Sequence, residues 1–296
     1  MEYEVKTLDD GIGFVSHTED GYPMLSTYKD MWGKGMHPKI GLSLCSGCGV
    51  KCVYCFTNGY QRFRKLTSQE IVSQAHMVFD YCNERKWLDH LGEFGIEDGF
   101  ICPQHEIKLS LKQMGDPLLN PVNTMDAIIS LGAEYPQEEI GTGAKKPYAT
   151  FVVSTSGPKL KSNKEFFKRL NEFNDENVRL QFSCHTTSDK EREILSPKIP
   201  MMTLKEIAKI ANKFSSPVTI NLVMFKGYTY SVQKMRDLFD KYNTHIKINY
   251  IDDNRYIKSF GLKDMSYDEV NKFTNKLGKY GFSLSSRIGP CKRKKA

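Results

Sequence analysis

The sequence has no apolar run of membrane-spanning length, no internal repeat and no low-complexity segment. A transmembrane helix needs about 20 consecutive apolar residues, so we expect no membrane contact of that kind. The amino-terminal stretch MEYEVKTLDD is polar and acidic, unlike a secretory signal or a transit peptide. We therefore expect a cytoplasmic protein, in which cysteine thiols stay reduced and serve as metal ligands or reactive groups.

The eight cysteines lack the two separated pairs that are typical of a structural zinc site. Cys48, Cys52 and Cys55 are spaced C-x3-C-x2-C, and Cys45 lies close by, but four thiolates on one eleven-residue loop would be cramped. Three thiolates on a tight loop can instead hold three corners of a 4Fe–4S cluster and leave one iron without a protein ligand. Zinc remains the alternative metal. The other cysteines form no second pair: Cys82, Cys102, Cys184 and Cys291.

From residue 40 onward, short β-branched or aromatic runs alternate with amphipathic segments. Four of those segments open with a capping box, a hydroxyl followed three residues later by glutamate: Thr67 with Glu70, Ser188 with Glu191, Thr203 with Glu206 and Ser266 with Glu269. Alternating strands and helices predict parallel strands joined by helical crossovers. The predicted strands are 40–44, 107–111, 149–156, 178–185, 218–225 and 245–251, with a last strand near 282–287.

Six such units predict an α/β fold, a partial (β/α)6 TIM-like barrel, because a complete eight-unit barrel needs more chain. We divide the chain into an N-terminal extension (1–39), a core barrel (40–287) and a basic C-terminal tail (288–296). In such barrels the chemistry lies at the carboxyl ends of the strands. The cysteine loop follows the first predicted strand and meets that condition.

The formal net charge is +7, and four consecutive basic residues begin at Lys292. One interpretation is a solvated, slightly basic surface with a solubilising end. The other is an anionic partner, most often nucleic acid. Composition alone leaves both open.

The cysteine loop resembles the signature of the radical S-adenosylmethionine (radical SAM) superfamily, C-x3-C-x-aromatic-C, with Tyr54 in the aromatic position. The resemblance implies a 4Fe–4S cluster on Cys48, Cys52 and Cys55, with Tyr54 near the adenine of S-adenosylmethionine. It also implies reductive cleavage of that sulfonium to a 5′-deoxyadenosyl radical. The electron would come from a donor such as flavodoxin or ferredoxin.

Five further segments resemble the RlmN/Cfr branch, whose members methylate adenine in RNA. They are RFRKL at 62–66, MGDPLLN at 114–120, STSG at 154–157, SCHTTSDKEREILSP at 183–197 and KINYIDDN at 247–254. Taken singly, a plain turn at 115–117 or a structural histidine at 185 would be ordinary. The resemblance implies S-adenosylmethionine contacts from Gly115, Asp116, Ser154, Ser183, His185 and Asn254.

The chain departs from that branch at its two extra cysteines. One should lie seven residues before the first cluster cysteine, where this sequence has Gly41, and Cys45 is the nearest thiol. The other is a methyl carrier near the C-terminus, for which Cys291 is the candidate. One interpretation is a reactive thiol, because basic neighbours lower the pKa of a cysteine. The other, equally weighted, is an incidental surface thiol.

Three hypotheses follow. The first is a radical SAM enzyme that modifies a nucleic-acid base or nucleotide, by RlmN/Cfr-like methylation through Cys291 or by direct hydrogen abstraction and rearrangement. The second is a radical enzyme acting on a peptide or small metabolite. The third is a non-catalytic zinc loop that binds nucleic acid.

Overall fold

The computed structural model describes residues 2–8, 11–31, 36–85, 94–97, 100–103, 106–136, 148–173, 177–249 and 255–286. Its main element is one ten-stranded sheet. The strands of that sheet are β1 (Tyr3–Leu8), β2 (Gly11–His17), β3 (Pro23–Met31), β4 (Met36–Leu42), β9 (Glu106–Leu111), β10 (Tyr148–Thr155), β11 (Val178–Ser183), β12 (Val218–Val223), β13 (Thr244–Asn249) and β14 (Ser283–Ser286). Two short hairpins lie outside it: β5 (Cys45–Ser46) with β6 (Arg64–Lys65), and β7 (Phe94–Glu97) with β8 (Phe100–Pro103).

Helices occupy the connections between the strands. They are α1 (Ser68–Glu84), α2 (Pro121–Glu134), α3 (Asn163–Glu172), α4 (Asp189–Leu195), α5 (Leu204–Ala211), α6 (Val232–Leu238), α7 (Arg255–Ser259) and α8 (Tyr267–Lys279), with 3₁₀ turns at Phe56–Gly59 and Pro117–Leu119. The predicted capping boxes at Thr67, Thr203 and Ser266 are confirmed. At Ser188 the cap is one-sided, because the Glu191 carboxylate binds Thr186 and Thr229 instead.

Seven strands, β4 and β9 to β14, run parallel in sequence order, and all seven predicted strands are present. The strand order is linear from β1 to β14, so within the described residues the sheet is an open part-barrel. β1 to β3 form an antiparallel meander that joins the sheet through β4. The predicted α/β part-barrel is therefore confirmed.

Alternation along the strands gives the parallel sheet two different faces. One face packs under the helices and is apolar, with residues such as Leu109, Phe151 and Ile220 fully or almost fully buried. The opposite, inner face is polar and carries three basic residues and a histidine among its side chains: Lys108, Ser110, Ser154, Arg179, Gln181, Ser183, Asn221, His245 and Lys247. The inner face of the parallel sheet is thus the polar one.

In the part of the chain that the structure describes, no helix combines the length and apolar content needed to cross a bilayer.

Candidate active site

The three predicted ligand cysteines lie on one loop between β5 and β6, all half-buried. The loop starts at Gly47, whose φ of +75° favours glycine; an added Cβ would lie 2.2 Å from the Arg62 carbonyl oxygen. Lys51 also has a positive φ of 55°, and its ammonium donates to the Tyr60 carbonyl at 2.6 Å. The Val53 amide donates to the Leu195 carbonyl at 2.9 Å, which fixes the loop to the end of α4.

The thiols are close enough to affect one another. Burial raises the pKa of Cys48, and the charges of Asp116, Cys52 and Cys55 raise it further. Burial also raises the pKa of Cys52 to about 11, although a hydrogen bond with Ser196 opposes the shift. The Ser196 hydroxyl lies 3.2 Å from the Cys52 sulfur, and the Thr57 hydroxyl lies 3.0 Å from the Cys55 sulfur. Bound iron would supply the positive charge that converts such thiols to thiolates.

This donor set fits a polynuclear cluster better than a single ion. Among the described residues, no three His, Cys, Asp or Glu side chains converge tightly enough to hold one metal ion. A structural zinc ion needs four close ligands, whereas a 4Fe–4S cluster spreads its cysteine sulfurs around a cube. The three sulfurs belong to one short loop, whereas Cys45 is fully buried and packs beside Gly115.

Tyr54 forms an aromatic group with His185 and Phe225 next to the cysteine loop. Its ring lies 4.7 Å from the His185 ring and 5.9 Å from the Phe225 ring, centroid to centroid. His185 has a φ of +61°, and its Nδ1 accepts a hydrogen bond from the Val223 amide. Burial and the nearby Arg192 charge lower the pKa of His185 to about 3, so the ring is neutral. The group can pack against a flat, uncharged ring such as adenine.

Asp116 joins the 114–120 segment to the end of β10. Its carboxylate accepts hydrogen bonds from the Leu118 amide, the Thr155 hydroxyl, and both the amide and the hydroxyl of Ser156, at 2.8 to 3.0 Å. Burial raises the pKa of Asp116, and these donors oppose the shift. With four protein donors, the carboxylate holds this corner in place, and the neighbouring Gly115 is the part of the motif that packs on Cys45.

The structure brings most of the predicted cofactor contacts to the same end of the sheet. Ser154 and Ser183 lie half-buried on the inner face near the carboxyl ends of β10 and β11, and His185 follows directly after β11. Gly115, with a φ of +93°, approaches Cys45 so closely that an added Cβ would lie 2.8 Å from the Cys45 Cβ. Two predicted residues, Asn254 and Cys291, lie outside the described residues.

Sequence reasoning did not single out three residues that support the site. Ser196 and Thr57 contact the cysteine sulfurs. Arg192 is buried and has no carboxylate partner among the described residues; its guanidinium donates to the Ser156 carbonyl at 2.7 Å and to the Met202 carbonyl. The spacing D-x-x-R in the 183–197 segment was a signal for Arg192, whereas nothing in the local sequence marks the two hydroxyls.

Gly41 lies where the RlmN/Cfr branch has its first extra cysteine. An added Cβ there would lie 2.4 Å from the Thr27 hydroxyl and 2.8 Å from the Gln113 side-chain oxygen, so the space is already filled. Cys45 does not substitute, because it is fully buried and its pKa is raised to about 12 by burial and by Asp116. No described thiol therefore stands in for the missing cysteine.

Comparisons with known proteins show the family of the chain. The model of the radical SAM superfamily matches residues 42–239. The dual-specificity RNA methyltransferase RlmN of Bradyrhizobium diazoefficiens is 26% identical over 250 residues, covering 81% of this chain and 55% of that protein. RlmN of Ruegeria pomeroyi is 27% identical over 258 residues, covering 81% and 58%. The chain thus spans just over half the length of these relatives.

A solved structure of similar fold is a radical SAM methyltransferase from Sphaerobacter thermophilus. It aligns with a TM-score of 0.69 at 20% sequence identity, over 96% of this chain and 75% of that one. Streptococcus suis SuiB, solved with S-adenosylmethionine bound, aligns with a TM-score of 0.52 at 13% identity, over 83% and 50%. At these identities the two structures support the fold alone.

Proposed function

This chain belongs to the radical SAM superfamily, whose cofactors are a 4Fe–4S cluster and S-adenosylmethionine, and we propose that it modifies a nucleic-acid base or nucleotide. Cys48, Cys52 and Cys55 would hold the cluster. When bound, the cluster supplies one electron to the sulfonium, which splits into methionine and a 5′-deoxyadenosyl radical. The observation that carries the proposal is the three-thiol loop lying beside the Tyr54–His185 pair at the carboxyl ends of parallel strands.

The chain's own residues would bind and orient S-adenosylmethionine. Tyr54 and His185 offer an uncharged aromatic surface to the adenine, since the depressed pKa of His185 keeps its ring neutral. Ser154 and Ser183 place hydroxyls on the inner face beside it. Asp116 fixes the position of Gly115 through its four donors, so that the backbone there is held against Cys45 in β5, just before the cysteine loop.

The inner face favours a nucleotide over an apolar or cationic substrate. Lys108, Arg179 and Lys247 contribute positive charge there, and Glu106 neutralises part of it through ion pairs of 3.2 Å and 2.8 Å to Lys108 and Arg179. Hydroxyl and amide side chains between them can bind base edges. Similarity to RNA methyltransferases supports RNA as the source of the base, which would leave its stack to enter the barrel.

A second candidate reaction is favoured by Gly41. Methylation through a pair of cysteines needs a second thiol near the reacting base, and Thr27 and Gln113 fill the place of that thiol. With Cys291 alone, the radical would instead take a hydrogen atom directly from the substrate. That step converts the radical to 5′-deoxyadenosine and leaves a substrate radical that rearranges or is modified without a transferred methyl group.

One labelling experiment separates the two reactions. The protein is reconstituted anaerobically and given dithionite, total cellular RNA or DNA, and S-adenosylmethionine labelled either in the methyl group or in the adenosyl group. Methyl label in RNA, lost in Cys291→Ala, supports the methyl-carrier route. Adenosyl label in 5′-deoxyadenosine, formed only when nucleic acid is added and without methyl transfer, supports direct abstraction. Equal cleavage with every substrate, including none, would contradict a nucleic-acid target.

A further inference from the structure

An open groove lies on the outside of the barrel between α3 and α5. Its volume is about 480 Å³, and it is distinct from the cysteine loop. The floor is apolar, and its residues are Leu160, Phe167, Met202, Ile210 and Phe214. Both Phe167 and Phe214 are buried, so the floor is a part of the core that shows at the surface.

Six lysines line this groove, against a single carboxylate, Glu206. Lys159 pairs with Glu206 at 2.7 Å, and Lys168 pairs weakly with Glu172 at 3.7 Å. The other four have no carboxylate within 4 Å among the described residues: Lys161, Lys164, Lys209 and Lys213. All four are exposed, so the groove presents uncompensated positive charge to solvent.

The four unpaired lysines stand on both rims. Lys161 lies two residues before α3 and Lys164 lies in its first turn, whereas Lys209 lies in the last turn of α5 and Lys213 lies two residues beyond its end. Like charges held close together on one protein surface repel one another. An anion in the groove would relieve this repulsion on both sides at once.

The groove begins at the same end of the barrel as the candidate active site. The Lys159 amide donates to the Pro200 carbonyl at 2.7 Å, and the Met202 amide donates to the Gly157 carbonyl at 2.8 Å. These bonds join the groove to the segment that follows β10, where Ser156 binds Asp116. A polymer whose base entered the barrel at this end would continue over the rim beside Lys159 and Lys161.

We propose that this lysine groove, between α3 and α5, binds the sugar–phosphate backbone that flanks the target base of a nucleic-acid substrate. The proposal rests on the proposed function. Lysines bind phosphates as mobile point charges, and lysines spread along both sides of the groove can follow an irregular single strand while riboses lie over the apolar floor. Because the groove continues the path from the barrel end, a nucleic-acid strand fits it better than a separate acidic protein would.

The test compares two variants of equal charge change in the reconstituted protein. The groove variant replaces Lys161, Lys164, Lys209 and Lys213 by Gln. The control variant replaces four exposed lysines on and near α8 by Gln: Lys241, Lys272, Lys276 and Lys279. Binding of a fluorescein-labelled oligouridylate is measured by anisotropy over a series of salt concentrations. Each lost phosphate contact lowers the slope of log K against log salt by about 0.7 for a single strand.

We expect the groove variant to lose up to about three units of slope and at least about ten-fold in affinity at low salt, whereas the control variant changes much less. Equal slopes in the two variants would overturn the proposal. So would a polyglutamate peptide that binds the unaltered groove and loses affinity in the groove variant while oligouridylate binding is unchanged. Iron content and reductive formation of 5′-deoxyadenosine are measured in the same samples. A parent protein that bound no iron or formed no 5′-deoxyadenosine would instead count against the proposed function.

Discussion

The Ser196 hydroxyl oxygen lies 3.2 Å from the sulfur of Cys52, across an interface between the cysteine loop and the end of α4. Ser196 is only 3% exposed, and its hydroxyl is hydrogen-bonded to this sulfur. A hydroxyl that donates to a cluster thiolate stabilises the more negative, reduced state. Ser196 is therefore a positioning residue for electron transfer and is not expected to be a metal ligand.

Removing that hydroxyl should make the cluster harder to reduce. For Ser196→Ala we expect a midpoint potential lower by about 40 mV, which corresponds to one hydrogen bond of about 1 kcal/mol. A redox titration followed by electron paramagnetic resonance measures it, with iron content unchanged. Ser196→Thr, which keeps a hydroxyl, is the control. An identical potential in Ser196→Ala would show that the contact does not act on the cluster.

The four neighbouring cysteines should divide into two classes. Cys48→Ala, Cys52→Ala and Cys55→Ala each remove one of only three ligands, so we expect loss of the cluster. Cys45→Ala should keep full iron content. It should cost about 1 kcal/mol of stability, because the buried Cys45 side chain packs against Gly115. Iron analysis and visible absorption after anaerobic reconstitution measure this. Normal iron in any of the first three variants would refute the ligand assignment.

Two glycines with similar φ angles allow the cost of backbone strain to be separated from the cost of a steric clash. Gly227 has a φ of +87° and nothing within 4 Å of an added Cβ, so Gly227→Ala should cost about 1 kcal/mol. Gly47 has a φ of +75° and the Arg62 carbonyl 2.2 Å from that Cβ, so Gly47→Ala should cost about 3 kcal/mol. It should also lose the cluster, since the cysteine loop starts there. Urea unfolding and iron analysis test both, and equal costs would contradict the clash.

We expect the folded protein to lose stability in mild acid because of His185. Its pKa is about 3 in the folded chain and 6.5 as the ordinary value, so below pH 6.5 the unfolded state binds a proton that the folded state does not. Between pH 7.5 and 5.5 this removes about 1.4 kcal/mol of stability. His185→Asn should lack that part of the pH dependence.

The measurement is urea unfolding of the apoprotein at the two pH values. His245, whose pKa is also lowered by burial, contributes with the same sign in both proteins and cancels in the comparison. An equal loss of stability in His185→Asn and in the parent would contradict the neutral, buried state of this ring.

Much of the fold was predictable because its signals are local. Runs such as VTINLV and capping boxes such as Thr67 with Glu70 mark strands and helix starts within a few residues. The cysteine spacing likewise marks a loop that needs no partner from elsewhere to be recognised. The extension of the sheet by β1 to β3 was less predictable, since the pairing of Thr27 with Gly41 depends on tertiary contacts.

The supporting contacts of the site were not predictable for the same reason. Ser196 reaches Cys52 across 144 positions of sequence, and Asp116 binds Thr155 and Ser156 across about 40. At Ser188 the sequence pattern for a capping box was present, but the Glu191 carboxylate accepts hydrogen bonds from Thr186 and Thr229 instead. Long-range hydrogen bonds of this kind leave no periodic trace in the chain.

The most direct test of the account is the fate of S-adenosylmethionine with the anaerobically reconstituted protein. We expect a brown protein with about four irons per chain that, after reduction by dithionite, forms 5′-deoxyadenosine and methionine, whereas Cys52→Ala forms neither. A colourless protein that binds one zinc ion through four protein ligands and leaves S-adenosylmethionine intact would contradict the central claim.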